Sequence, residues 1–208
     1  MKRTITNNQE GQSKEGQSNE NSKKPKHNSS PRNYNSMRRR RLLLDGAEYH
    51  VTARINRGEP IFLAPEDREL FMDTLRRAKK KYNFVIKNFS VMGNHIHLLI
   101  KPGPGESLSK IMQWLLGVFA QLWNKKHCLS GHLWGERFFS RIISGLIDFL
   151  KVFTYIDNNP VAAGLVNLPG QWLFGGLWHH QNGYTDIVDL LDQEILEFLP
   201  EHQIIQLP

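Results

Sequence analysis

His95 and His97 stand two residues apart in Val91-Met92-Gly93-Asn94-His95-Ile96-His97-Leu98-Leu99-Ile100. The stretch reads as a buried β-strand, and alternate side chains on a strand share a face. The two imidazoles therefore project together, roughly 7 Å apart at their roots, while Ile96 and Leu98 point the other way. Two imidazoles held so can share one divalent metal, or each can be satisfied by local hydrogen bonds. A second stretch, Phe153-Thr154-Tyr155-Ile156-Asp157-Asn158-Asn159-Pro160-Val161, supplies other chemistry. Tyr155 falls off the apolar stripe set by Phe149 and Phe153, so its hydroxyl can be free; the alternative is a helix tyrosine at the core rim. Asn159 follows by four residues and shares its face if the helix reaches that far. Its amide oxygen is then a third candidate metal ligand; the alternative is a cap for a turn begun by Pro160.

These groups suit attack on a phosphodiester. A phenol is a weak nucleophile at neutral pH because nearly all of it is protonated. A divalent ion on a non-bridging phosphate oxygen polarises phosphorus and offsets the charge that develops. Attack by tyrosine would leave a covalent phosphotyrosine and a free DNA hydroxyl. The bond energy is retained, so a hydroxyl can later rejoin the strand.

The elements that must position these groups follow from periodicity. Tyr49-His50-Val51-Thr52-Ala53-Arg54-Ile55 alternates and is β-branched, which predicts a first strand. Pro65 to Lys81 is helical, with Leu70, Phe71, Thr74, Leu75 and Ala78 on its apolar side. Phe84 to Phe89 or Met92 is a second strand, and His95 to Ile100 a third, joined by a Gly93-Asn94 turn. Ser107 caps a helix running to about Lys125. Residues 131–141 form a loop that enters a short strand through Ile143. Leu146 to about Asn158 is a helix that Pro160 stops or restarts; residues 161–184 look irregular apart from a short turn at Val161–Val166. Ile187 to Phe198 reads as an acidic amphipathic helix with Leu190, Leu191, Ile195 and Phe198 inward; it could dock on the body, cover its basic face or bind a partner. The order β-α-β-β-α-β then helix predicts an α+β, ferredoxin-like antiparallel sheet with helices on one face.

Three segments are expected: a disordered basic arm (1–41), a central domain (42–185) and the acidic C-terminal helix (186–208). The formal net charge is +7, and 39% of the residues are hydrophobic. By count the arm carries +8, the centre +5 and the last segment −6. A basic arm and body point to a polyanion, nucleic acid first. Arg38, Arg39, Arg40 and Arg41 are candidate phosphate contacts, or a solvated flank; Met37 before them could be the start of translation in place of Met1. The single cysteine, Cys128, excludes an internal disulfide and gives no zinc spacing. No apolar run approaches membrane-spanning length, so a cytoplasmic, nucleoid-associated protein with no membrane partner is expected.

Gly93-Asn94-His95-Ile96-His97-Leu98-Leu99 resembles the His-hydrophobic-His (HUH) motif of single-tyrosine transposases. Tyr155-Ile156-Asp157-Asn158-Asn159-Pro160-Val161-Ala162-Ala163-Gly164-Leu165-Val166 resembles their tyrosine helix and its continuation. Tyr49-His50-Val51-Thr52-Ala53-Arg54 and Gly131-x-Leu133-Trp134-x-x-Arg137-Phe138-x-Ser140 are similar to two further blocks. The spacing most resembles the REP-associated tyrosine transposases, over about residues 38–180. The chain departs from many relatives at Gly93, at Ala162 or Ala163, and at Leu173-Phe174-Gly175-Gly176. The resemblance implies an HUH nuclease fold, Mg²⁺ or Mn²⁺, and cleavage of single-stranded DNA near a hairpin or palindromic repeat through a 5′-phosphotyrosine, by a monomer or homodimer. It implies His95 and His97 as metal ligands with Asn159 as a third, and Tyr155 as the nucleophile. By their charge Arg137 and Arg141 are candidate phosphate contacts, or simply strand-surface charges, and Arg54 is a candidate DNA contact beside Arg38–Arg41. A hairpin-binding regulator without catalysis is the alternative.

Overall fold

Strict alternation of side chains along Tyr49–Arg54 makes β1, whose Tyr49, Val51 and Ala53 are buried. Phe84–Val91 (β2) and His95–Pro102 (β3) form a hairpin, and Phe139–Ile142 (β4) is short. The computed structural model describes residues 44–203, so the basic arm with Arg38, Arg39, Arg40 and Arg41 lies outside the described residues. The strands form one antiparallel sheet in the order β2-β3-β1-β4. This is the α+β, ferredoxin-like architecture expected, with Asn56–Gly58 forming a short 3₁₀ turn after β1.

One sheet face is dry. Val51, Ile96, Leu98 and Ile100 meet Phe71 and Leu75 of α1 (Pro65–Lys81) and Leu115 and Phe119 of α2 (Leu108–Lys126) in a single core. Phe62, Phe71 and Phe119 pack with ring centroids 5.1–5.8 Å apart, a spacing at which aromatic pairs add about 0.5–1.5 kcal/mol beyond area burial. The ends of α1 coincide with those read from the sequence, since Pro65 opens the helix and its basic residues cluster in the last turn. Ser107 caps α2 through its side chain to the Lys110 amide at 3.4 Å.

The expectation of helices on one face alone is corrected: the opposite face is divided, and a third helix covers part of it. At one end Leu99 is covered by Phe149, Val152, Phe153 and Ile156 of α3 (Gly145–Ala162); at the other end the histidines stay open. The helix does not stop at Pro160. Proline removes only its own bond to the carbonyl four residues back, and here it is buried in the helix, lining a small void with Phe89, Trp172 and Leu177. The true stop is Gly164 at φ 68°, where Gly164 N–H bonds Val161 O and Leu165 N–H bonds Pro160 O, both at 2.9 Å. That is a Schellman cap, which needs the left-handed conformation glycine tolerates.

Two further expectations are corrected. Residues 161–184 contain a helix, α4 (Gly176–Gln181). The acidic tail is not a long amphipathic helix: among its described residues only α5 (Gln193–Leu196) is α-helical, and Leu190 and Phe198 are exposed. Its acids are engaged locally. Asp189 Oδ2 accepts from Lys79 Nζ at 2.6 Å and from Ile86 N–H at 2.9 Å, while Asp189 N–H bonds Ile86 O at 2.9 Å. Arg76 holds Asp186 as well. With Ile187 and Val188 adjacent in one core and Leu191 and Leu199 in the other, the segment docks as extended chain, and residues 186–203 belong to the same compact unit as the sheet. Among the described residues no helix is long and apolar enough to cross a membrane.

What fastens α3 is buried and polar. β2 bulges between Ile86 and Asn88, and the fully buried Asn88 uses its amide Nδ2 to donate to Phe153 O at 3.2 Å and Asp157 Oδ1 at 2.8 Å. The other Asp157 oxygen accepts from His202 Nε2 at 2.8 Å. Burial pushes the Asp157 carboxyl up from its ordinary value, and the bonds from His202 and Asn88 oppose that shift. Asn88→Ala leaves a buried carboxylate oxygen without its partner, a loss of about 1–3 kcal/mol. Urea unfolding should show the midpoint falling with an unchanged slope; an unmoved midpoint would mean that this bond does not fasten α3.

Candidate functional site

Pairing between β1 and β3 sets the site. Thr52 lies opposite His97 and Arg54 opposite His95, and across the other edge of β1 His50 lies opposite Arg141 and Thr52 opposite Phe139. Directly opposed residues share a face, so the open part of the sheet carries His50, Thr52, Arg54, His95, His97, Phe139 and Arg141. α3 brings Tyr155 over this patch. Its ring centroid lies 5.5 Å from that of His97 and 6.0 Å from that of His50, and its side chain is exposed. Tyr155 thus sits beside the histidines of its own chain.

Hydrogen bonds fix how each histidine presents itself. Asn94 donates from Nδ2 to Gly58 O at 2.9 Å, so its Oδ1 faces His95. His95 Nδ1, 2.7 Å from that oxygen, must therefore carry the proton and donate, which leaves Nε2 with its lone pair. His97 Nδ1 lies 2.9 Å from His50 Nε2 and 3.2 Å from Thr52 Oγ1. His97 Nε2 is buried and has no hydrogen-bond partner among the described residues. A protonated Nε2 there would be an unsatisfied donor, a costly arrangement; an unprotonated Nε2 keeps a lone pair that could serve as a ligand.

The electrostatics favour neutral rings. Burial pushes His97 down to about 3, helped by His95, His50 and Arg54. Burial pushes His95 down to about 4, with Arg54 adding to it. His50 falls to about 4 through burial and then Arg141, partly opposed by Asp148. All three are neutral near pH 7, and the neutral imidazole is the metal-ligating form.

Asn159 lies on the same helix as Tyr155, one turn later, because the helix continues through Pro160. Its Nδ2 donates back to Tyr155 O at 2.8 Å, which turns the amide so that Oδ1 has no hydrogen bond among the described residues. Arg54 and Arg137 are exposed and line one groove with Arg57. Arg141 differs: Nη1 contacts both oxygens of Asp148 at 2.7 and 2.9 Å. Asp148 also accepts the Ser144 N–H at 2.9 Å, so this pair fastens the start of α3 and much of the Arg141 charge is already matched.

Sequence patterns alone leave His50 between touching the site and only packing, and do not mark Thr52 or Asn94 as orienting partners. Their signal is the polar alternation of β1 and the residue before the first histidine, and it becomes legible only with the strand register. Another group, Asp157, Glu201 and His202, could hold a metal ion by its donor atoms; here Asp157 and His202 are joined by the hydrogen bond that fastens α3. His127 bonds Asp67 at 2.8 Å and leans on Trp123, Cys128 is exposed, and His179 and His180 are buried beside Phe89 and Phe153. None of these joins the histidine patch.

Residues 44–159, from before β1 to the asparagine of α3, match the family model described as "Transposase IS200 like". No curated protein matches the chain. Among solved structures, a REP-associated tyrosine transposase bound to a REP hairpin is similar with a TM-score of 0.59 at 21% identity, over 74% of this chain and 91% of that one. A chain assigned as a transposase from Deinococcus radiodurans R1 is similar at 20% identity with a TM-score of 0.42, over 59% of this chain and 97% of that one. The first likeness carries the fold; the second is too slight to carry an argument. The family match spans more than half of the chain and takes in all four strands, both histidines and the tyrosine: the chain belongs to the family of IS200-like transposases.

Proposed function

We propose that the chain is a metal-dependent endonuclease and strand transferase for single-stranded DNA, acting near hairpins, with Tyr155 as nucleophile. The observation that supports it most is the buried Nε2 of His97, without a hydrogen-bond partner among the described residues, in a ring whose centroid lies 5.5 Å from that of Tyr155. The hairpin comes from the fold relative, which is bound to one.

His95 and His97 would hold a divalent ion, Mg²⁺ or Mn²⁺, through their Nε2 atoms, with Asn159 Oδ1 as a third ligand. The donor set fits: both rings are neutral, both have Nδ1 engaged, and the amide oxygen is free. Such an ion, when bound, supplies Lewis-acid polarisation of the phosphate. The chain's own residues do the rest. Tyr155 Oη attacks phosphorus and loses its proton. The bond from phosphorus to the 3′ oxygen breaks, and that oxygen takes up a proton. The products are a 5′-phosphotyrosine and a free 3′ hydroxyl, and the reverse attack by a 3′ hydroxyl rejoins a strand. Arg54 and Arg137 contribute positive charge beside the histidines for the phosphate backbone. His50 and Thr52 accept from His97 Nδ1 and hold its ring.

Incubation with hairpin-bearing single-stranded DNA and Mn²⁺, followed by denaturing electrophoresis, tests the reading. The wild-type chain should form a covalent protein–DNA band and Tyr155→Phe should form none. A band that persists in Tyr155→Phe names another nucleophile, and hairpin binding with no cleavage under any metal would favour a regulator. The orienting role of His50 has a separate readout. His50→Ala should weaken Mn²⁺ binding about 10- to 100-fold, the usual cost of losing a partner of a metal-bound histidine, as measured by titration of the protein alone. Unchanged affinity would limit His50 to packing.

A further inference from the structure

We propose that Phe139, together with the arginine groove beside it, is a stacking platform for an unpaired base adjoining the cleaved phosphate. The proposal rests on the single-strand reading above and adds to it a place for the nucleobase. Phe139 opens β4, the edge strand of the sheet, and pairs with Thr52, whose Oγ1 is 3.2 Å from His97 Nδ1. It therefore projects on the histidine face, two strands from β3. There it is 62% exposed, and the residues on that face of β1 and β4 are the polar His50, Thr52, Arg54 and Arg141. Phe138, the residue just before β4, is buried in the core. One phenylalanine thus packs inward, and the next stands outward on a polar face.

The groove beside Phe139 has a volume of about 520 Å³ and is lined by Arg54, Arg57 and Arg137, with Glu136 the one acid among its lining residues. Its walls are preformed. Gly135 N–H bonds Arg54 O at 3.0 Å and Asn56 N–H bonds Leu133 O at 2.9 Å. A Cβ on Gly135 would come within 3.2 Å of Asn56 Cα, and Arg57 holds a left-handed φ of 56°. An exposed ring in a rigid cationic groove that opens onto the candidate catalytic patch suits a base on the ring and its phosphates on the guanidinium groups. Stacking of this kind tolerates any base, because each has a π face.

The test uses the full chain in a chelator, so that no cleavage intervenes. The probe is an oligonucleotide hairpin with about ten unpaired nucleotides on each side, within the span such surfaces cover, and 2-aminopurine placed at each unpaired position in turn. The wild-type chain should quench one or two adjacent positions. Phe139→Ala should abolish that quenching and weaken binding of the flanked hairpin about tenfold to a hundredfold, with binding of the blunt hairpin unchanged. Phe139→Trp should keep both, whereas Phe139→Leu, apolar but without a π face, should behave as alanine. If Phe139→Ala or Phe139→Leu quenches and binds as the wild type does, the platform is refuted while the cleavage reading stands. If the wild-type chain binds no unpaired flank, the platform and the single-strand reading fall together; a failure of Tyr155 to form an adduct leaves this result untouched.

Discussion

The contact on which the molecule turns is the bond from Asn88 to Asp157. A carboxamide with no exposure, at a bulge in β2, reaches across to the helix that carries Tyr155. A buried polar group of this kind is costly unless every partner is present, so it tolerates few positions of α3 on the sheet. Gly176 shows how closely the surroundings are fitted: a Cβ there would come within 2.2 Å of Asn88 Oδ1. His202 closes the same carboxylate from the C-terminal side. The acidic tail is thereby part of the frame that decides where the tyrosine stands, and its ion pairs to Arg76 and Lys79 on α1 hold it there.

That fastening divides the second sheet face into two environments. Where α3 lies down, Leu99 meets Phe149, Phe153 and Ile156 and the surface is dry. Beyond the helix the same strands present histidines, a threonine and arginines. His97 is buried and His50 and His95 are half-buried, enough to keep them neutral, and the arginines nearby reinforce that by disfavouring a second positive charge. Neutral rings with Nδ1 engaged and a patch of cationic side chains are what a metal and a phosphate would each require. The sheet thus supplies both from one register, with no contribution from the loops other than Asn94 and the groove after β1.

Much of this is legible in the amino-acid sequence alone. The two-residue spacing of His95 and His97, the helical offset of Tyr155 from the apolar stripe, and the alternation of β1 are local patterns, and local patterns survive folding. The ends of α1 are legible because proline and a lysine run mark them chemically. The misleading signals are those with two physical meanings. Pro160 reads as a stop, yet one missing hydrogen bond is tolerated where the ring is buried, and Gly164 ends the helix. Leu190, Leu191, Ile195 and Phe198 have helical spacing, yet Asp189 binds the backbone of β2 and keeps the chain extended. The partners of the histidines are not legible because His50 and His97 lie 47 residues apart and meet only through the β1–β3 register. Arg141 likewise reads as a phosphate contact in sequence, whereas in the fold Asp148 holds it.

The central claim is that one chain supplies both the histidine pair and the tyrosine that works beside it. Mixing two inactive variants tests it most directly: His97→Ala, which keeps Tyr155, with Tyr155→Phe, which keeps the histidines, assayed for covalent adduct on hairpin-bearing single-stranded DNA. The account predicts that the mixture stays as inactive as either variant alone. Recovery of the adduct on the His97→Ala chain would show that the tyrosine serves a neighbour's histidines, and would contradict the arrangement described.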